Sequence, residues 1–190
     1  MLVIVLVHKS SLLIAQDYFP LNIGNIWKYK YFETDSIFIY TTQILDTISI
    51  SDTLYYKYYQ YYLEYQYPQS SDNTYLIRKD ELGKIILRIY DQEHVWFDFT
   101  AEDSTQYEYN PYPWLGETFN YIVKVRKNIS VETFLGTYYD CMFFFFDSPH
   151  LVDDEERYYF APEIGIVKHL VAWSSLGILA AAQINGKPIL

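Results

Sequence analysis

Tyr121-Ile-Val-Lys-Val-Arg126, Thr133-Phe-Leu-Gly136 and Tyr138-Tyr-Asp-Cys-Met-Phe-Phe-Phe-Phe146 form the stretch that decides the fold. Two β-branched and aromatic runs flank a short turn. Such residues suit a pleated, half-buried surface, and a Gly at the turn can take the left-handed conformation that closes a hairpin. The same Leu-Gly punctuation recurs at Asp80-Glu-Leu-Gly83 and Ser174-Ser-Leu-Gly177. The flanks predict that 74–78 pairs with 84–90, 121–126 with 138–146, and 165–173 with 178–184. Further strands are expected over 25–32, 37–48, 54–67, 94–99 and 158–161.

About ten antiparallel strands, mostly sequential neighbours, make a long meander. A sheet of that length must curl to bury a face. The fold class is therefore all-β, with a strongly curved sheet or open barrel expected and a β-sandwich as the alternative. The 3.6-residue helical period and the nucleotide-type βαβ unit are not found in the sequence. Composition agrees: aromatics are 20% of the 190 residues, with 22 Tyr and 12 Phe.

The tyrosine-rich run Leu54-Tyr-Tyr-Lys-Tyr-Tyr-Gln-Tyr-Tyr-Leu-Glu-Tyr-Gln-Tyr67 separates by alternation into two faces. Tyr59, Tyr61, Leu63, Tyr65 and Tyr67 share the more apolar one, expected to face the core. Tyr56, Tyr58, Gln60, Tyr62, Glu64 and Gln66 share the other, a wet aromatic surface that could carry sugar rings or a flat apolar ligand.

Residues 1–16 are mostly apolar, with His8-Lys9-Ser10-Ser11 in the middle and Leu12-Leu-Ile-Ala15 after. Their length suits a signal peptide, or a remnant of one, and is too short for a membrane span. A single β domain is expected over 17–190. Net charge is −10 over the whole chain, and removing 1–16 leaves 13 basic against 24 acidic residues. Such a surface repels phosphate backbones, so nucleic acid is not an expected partner.

Cys141, the single cysteine, excludes an intramolecular disulfide and reads as a packed thiol in a buried strand. The acidic loop 147–156 could gather oxygen ligands for a cation, although it lacks the spacing and central Gly of an EF-hand loop. His94, His150 and His169 are scattered, without metal-ligand spacing, and His94 reads as a strand-edge residue. No Gly-x-Ser-x-Gly elbow or phosphate-binding Gly loop occurs. A carboxylate pair for glycoside hydrolysis depends on the fold. Asn128-Ile-Ser130 fits a glycosylation sequon.

Four stretches, Tyr18-Phe-Pro-Leu-Asn-Ile-Gly-Asn-Ile-Trp-Lys-Tyr29, Leu135-Gly-Thr-Tyr-Tyr-Asp-Cys141, Tyr159-Phe-Ala-Pro-Glu-Ile-Gly-Ile-Val-Lys168 and Ala181-Ala-Gln-Ile-Asn-Gly186, together set a pattern. It resembles a loosely defined, largely uncharacterised group of exported β-rich proteins of Bacteroidetes and Ignavibacteria-type bacteria. In that group the third motif usually carries Gly where Glu163 stands here. The resemblance implies export, to the periplasm, cell surface or medium, and implies nothing about activity.

The expectation is thus an exported, non-enzymatic β domain of the bacterial cell envelope with a binding or structural role. A concave aromatic sheet could hold an apolar ligand. The alternative is a carbohydrate-binding or adhesion module using exposed Tyr, and a remote one is a hydrolase with a carboxylate pair. No catalytic, metal or cofactor-binding residue is assigned. Trp27, Trp96, Trp114 and Trp173 are the residues to inspect for a pocket, with core packing expected for at least two of them.

Overall fold

A computed structural model describes residues 16–33, 36–62, 73–112, 120–172 and 175–189. The leader-like residues 1–15 and Leu63, Tyr65, Tyr67, Trp114 and Trp173 lie outside the described residues. Thirteen strands run in chain order: β1 (Ile26–Glu33), β2 (Ser36–Ile50), β3 (Thr53–Tyr62), β4 (Asn73–Lys79), β5 (Ile85–Ile89), β6 (Gln92–Phe97), β7 (Gln106–Tyr109), β8 (Tyr121–Thr133), β9 (Gly136–Asp147), β10 (Glu156–Ala161), β11 (Gly165–Val171), β12 (Ser175–Ile184) and β13 (Lys187–Ile189). No helix occurs among the described residues, so none there is long and apolar enough to cross a membrane.

All strands belong to one antiparallel sheet of order β6-β5-β4-β3-β2-β1-β12-β11-β10-β9-β8-β7, with β13 added beside β12. The meander is interrupted once, where β1 pairs with β12 and joins the two ends of the domain. The result is a nearly closed barrel, not a sandwich. Its seam lies between β6 and β7, which are consecutive in sequence and are the two ends of the sheet. Short edge strands limit the backbone left unpaired. Across the seam the Tyr107 hydroxyl donates to the Trp96 carbonyl at 2.8 Å.

The three hairpins predicted from Leu-Gly turns all form, as β4–β5, β8–β9 and β11–β12. Gly83 and Gly136 take φ of +92° and +116°, as that chemistry requires. The third turn is displaced. Gly177 lies inside β12 opposite His169, and Ala172 takes the left-handed conformation instead, at φ +45°. Strands β7 and β13, of four and three residues, are too short for an alternation pattern and were not expected from sequence.

The barrel interior is aromatic. Phe97 is completely buried, with ring centroids of Phe160, Tyr158 and Phe144 at 4.7, 5.0 and 5.3 Å. Each such ring stabilises the fold by about 1.5–3 kcal/mol through burial, with about 0.5–1.5 kcal/mol more for each well-oriented ring pair. A bulge between Ile85 and Ile86 sets them opposite Phe97 and Val95, so Trp96 is the extra residue of β6. A bulge defeats alternation locally, which is how Trp96 and Phe97, adjacent in sequence, are both buried.

One end of the barrel is filled by the segment before β1. Phe19 packs on Trp27, Tyr58 and Phe160, all with centroids 5.7 Å away. Pro20 keeps this segment extended, and its carbonyl accepts from the Asn25 side chain at 2.9 Å. Trp27 is fully buried and donates from Nε1 to the Ile164 carbonyl at 2.5 Å. Glu163 sits at φ +61°, and its N–H donates to the Asp17 carbonyl at 2.7 Å. The first and third sequence motifs therefore build this end of the barrel together.

Candidate functional site

The opposite end is open. The ends of β3, β5, β9 and β11 and the starts of β4, β8 and β10 surround a cavity of about 280 Å³. That is just below the about 300–1,000 Å³ usual for drug-sized ligands, so it suits a small molecule or one end of a longer one. Its walls are mainly rings: Tyr75, Trp96, Tyr109, Tyr121, Phe146 and Tyr158. Trp96 and Tyr158, 6.2 Å apart edge to face, join the cavity to the aromatic core below.

Glu156 brings charge to this wall. It opens β10, and alternation puts Glu156, Tyr158 and Phe160 on one face. Phe160 is fully buried in the core, so Glu156 points into the barrel two steps nearer the mouth. The Tyr158 hydroxyl donates to Glu156 Oε2 in a short hydrogen bond. His169, the register partner of Tyr158 on β11, stacks on the Tyr158 ring at 4.1 Å and 15°. Its Nε2 is 3.5 Å from Glu156 Oε2, an ion-pair distance, and this buried nitrogen has no hydrogen-bond partner.

Burial pushes the Glu156 carboxyl upward, but His169 and Tyr158 outweigh it, and the group titrates below its ordinary value. Glu156 is thus ionised at neutral pH. Its side chain is 38% exposed to solvent and lines the cavity. Burial, followed by the nearby Glu156 charge, holds the Tyr158 phenol well above its usual range. No Lys or Arg is among the described residues lining the cavity, and Glu156 is the one carboxylate there. The second carboxylate that the hydrolase alternative needs is therefore not among those residues.

The sequence-level candidates fall in different places. Trp96 lines the cavity, whereas Trp27 is core. The two faces of β3 are the reverse of expectation. Tyr58 is fully buried and Gln60 lines the cavity, while Tyr59 and Tyr61 pack together on the other face at 5.3 Å and 33°. Alternation holds, but with tyrosines on both faces the polarity contrast is too small to orient the strand, and the polar Gln60 faces the open cavity. The Tyr59 and Tyr61 rings are tilted and half-buried, so they do not form a flat platform for sugars.

Elsewhere, Cys141 is completely buried, with its thiol pushed up to about 11 by burial and the nearby Asp140. His94 stands on edge strand β6, as expected, and burial lowers its pKa. In the acidic loop, Asp154 accepts from the Ser148 N–H at 3.1 Å, which closes the turn. No group of three or more His, Cys, Asp or Glu among the described residues is arranged to hold a metal ion. Sequence reasoning assigned Glu156 to that solvated loop and missed its pairing with His169. The alternation through Glu156-Arg-Tyr-Tyr-Phe160 was the signal that could have found it.

No family model matches the chain, and no curated protein matches it in sequence. Among solved structures, it is similar to a Bacteroides fragilis NCTC 9343 protein assigned as exported, with a YmcC-like fold. The TM-score is 0.47 at 11% identity, covering 86% of this chain and 97% of that one. It is also similar to a Parabacteroides distasonis ATCC 8503 protein assigned as a lipoprotein, with a TM-score of 0.40 at 13% identity over 86% and 97% of the two chains.

Proposed function

We propose that this chain is an exported, non-enzymatic binding module of the bacterial cell envelope, holding a small ligand with an apolar or aromatic body in the open end of its barrel. The observation that carries the reading is the cavity of about 280 Å³ walled by Tyr75, Trp96, Tyr109, Tyr121, Phe146 and Tyr158. Rings inside a concave sheet, and the tilt of 33° between Tyr59 and Tyr61 on its outer face, favour a carrier over a glycan platform built on the tyrosine-rich strand. Export rests on the apolar residues 1–16 and on the motif pattern.

Native mass spectrometry of the protein recovered from its own cells, with organic extraction of the same sample, tests the reading. A discrete added mass that is released on denaturation supports it and identifies the ligand class. A folded protein that is empty, and that leaves the fluorescence of a small apolar dye unchanged, overturns it. Cell fractionation tests export, which recovery from the cytoplasm alone would overturn.

A further inference from the structure

Resting on the reading of this cavity as a ligand site, we infer that its ligand carries an organic cation, an amine or quaternary ammonium group, seated against Glu156 and the surrounding ring faces. Three observations lead here. First, Glu156 is the one formal charge of fixed sign on the described wall, and no Lys or Arg opposes it. Second, Glu156 lines the cavity and its side chain is 38% exposed, so a ligand can reach it despite the Tyr158 and His169 contacts. Third, the wall around it is built of Trp and Tyr rings, whose negative faces attract a cation that has lost part of its water.

The chemistry discriminates. A carboxylate ligand would meet Glu156 as a like charge in a partly desolvated site. A purely apolar ligand would displace solvent from the exposed part of the carboxylate and leave the Tyr158 hydroxyl and His169 as its compensation, which burial of a charge penalises. A soft organic cation resolves both problems: it loses little hydration, fills apolar space and supplies the counter-charge. His169 Nε2, 3.5 Å away, supplies that charge when the imidazole is protonated, so protonated His169 and the ligand compete for one carboxylate.

The test uses the full chain at neutral pH, with NMR shifts of the Trp96 indole as readout. Three probes are titrated: benzyltrimethylammonium, its all-carbon isostere neopentylbenzene, and phenylacetate. The cation is expected to bind at least about tenfold tighter than its isostere, the product of cation–π attraction and one partly screened charge pair. Glu156→Gln is expected to narrow the preference to the part that the rings alone supply. If that variant does not fold, the comparison on the unmodified protein still decides.

Equal affinity for cation and isostere, or a preference for phenylacetate, overturns the cation assignment while the cavity reading stands. No shift with any probe overturns the cavity reading, and this inference with it. Choline and phosphatidylcholine vesicles then separate the sources. Shifts with choline alone support a small soluble organic cation, and co-sedimentation with vesicles supports a lipid headgroup.

Discussion

Replacing Gly165 by Ala isolates one contact between the two motifs that build the closed end of the barrel. Gly165 sits at φ +99°, and a Cβ there would stand 3.0 Å from Trp27 Nε1 and 3.2 Å from both Cε2 and Cζ2. The indole has little room to retreat. It is fully buried, holds the Ile164 carbonyl at 2.5 Å, and has the Phe19 ring 5.7 Å away. Gly83 is the control, because it has nearly the same backbone, at φ +92°, and nothing within 4 Å of an added Cβ. The cost of a side chain at positive φ, about 1–2 kcal/mol, is then common to both variants. Overpacking against Trp27 adds about 1–3 kcal/mol at Gly165 alone. Gly165→Ala should therefore lose about 2–5 kcal/mol and Gly83→Ala about 1–2 kcal/mol. The midpoint of thermal unfolding should fall by roughly 5–15 °C for Gly165→Ala. Equilibrium urea unfolding followed by circular dichroism measures both variants. Equal losses, within about 0.5 kcal/mol, would refute the close approach of Gly165 to Trp27 as the reason for glycine there.

Glu93 lies in a bidentate pair, accepting from Arg78 Nε at 2.6 Å and Nη2 at 2.7 Å, and also from the Tyr55 hydroxyl at 2.5 Å. The Arg78 bonds, aided by Tyr55 and opposed by burial, hold its carboxyl at about 2 against an ordinary 4.5. The folded pKa is the lower one, so its stabilisation is complete above about pH 4.5 and is lost as pH falls through about 2. With both side chains partly in solvent, Glu93→Gln should cost about 1 kcal/mol at pH 7 and almost nothing at pH 2, measured by unfolding at each pH. A pH-independent loss would sink that account. Cys141, buried with its thiol near 11, should react with a thiol reagent at least about a hundredfold slower in the native protein than in denaturant; equal rates would show an accessible thiol. Tyr107→Phe should cost about 1–3 kcal/mol and speed amide exchange in β6 and β7, because the Trp96 carbonyl at the seam loses its donor. Unchanged exchange there would show that this bond does not hold the seam.

Much of the architecture was legible along the chain because hairpins are local. Turn residues and period-two patterns lie within about 25 residues of each other, so the three hairpins can be paired without tertiary information. A packed Cys141 and an all-β class followed from the same patterns. The orientation of β3 was not legible, since tyrosine is amphipathic and serves equally on either face. The displaced turn before β12 was not legible either, because Ala172 adopts a backbone that Gly177 was expected to take.

The candidate site divides along the same line. The sequence by itself determined that Glu156, Tyr158 and Phe160 share a face, since alternation is a property of any strand. Only the tertiary structure decided that this face lines a cavity, that His169 meets it from β11, and that Trp96 closes it from β6. Those contacts depend on how far the sheet curls and where β1 finds β12, and both follow from the summed twist, bulges and packing of the whole barrel, which no local pattern encodes.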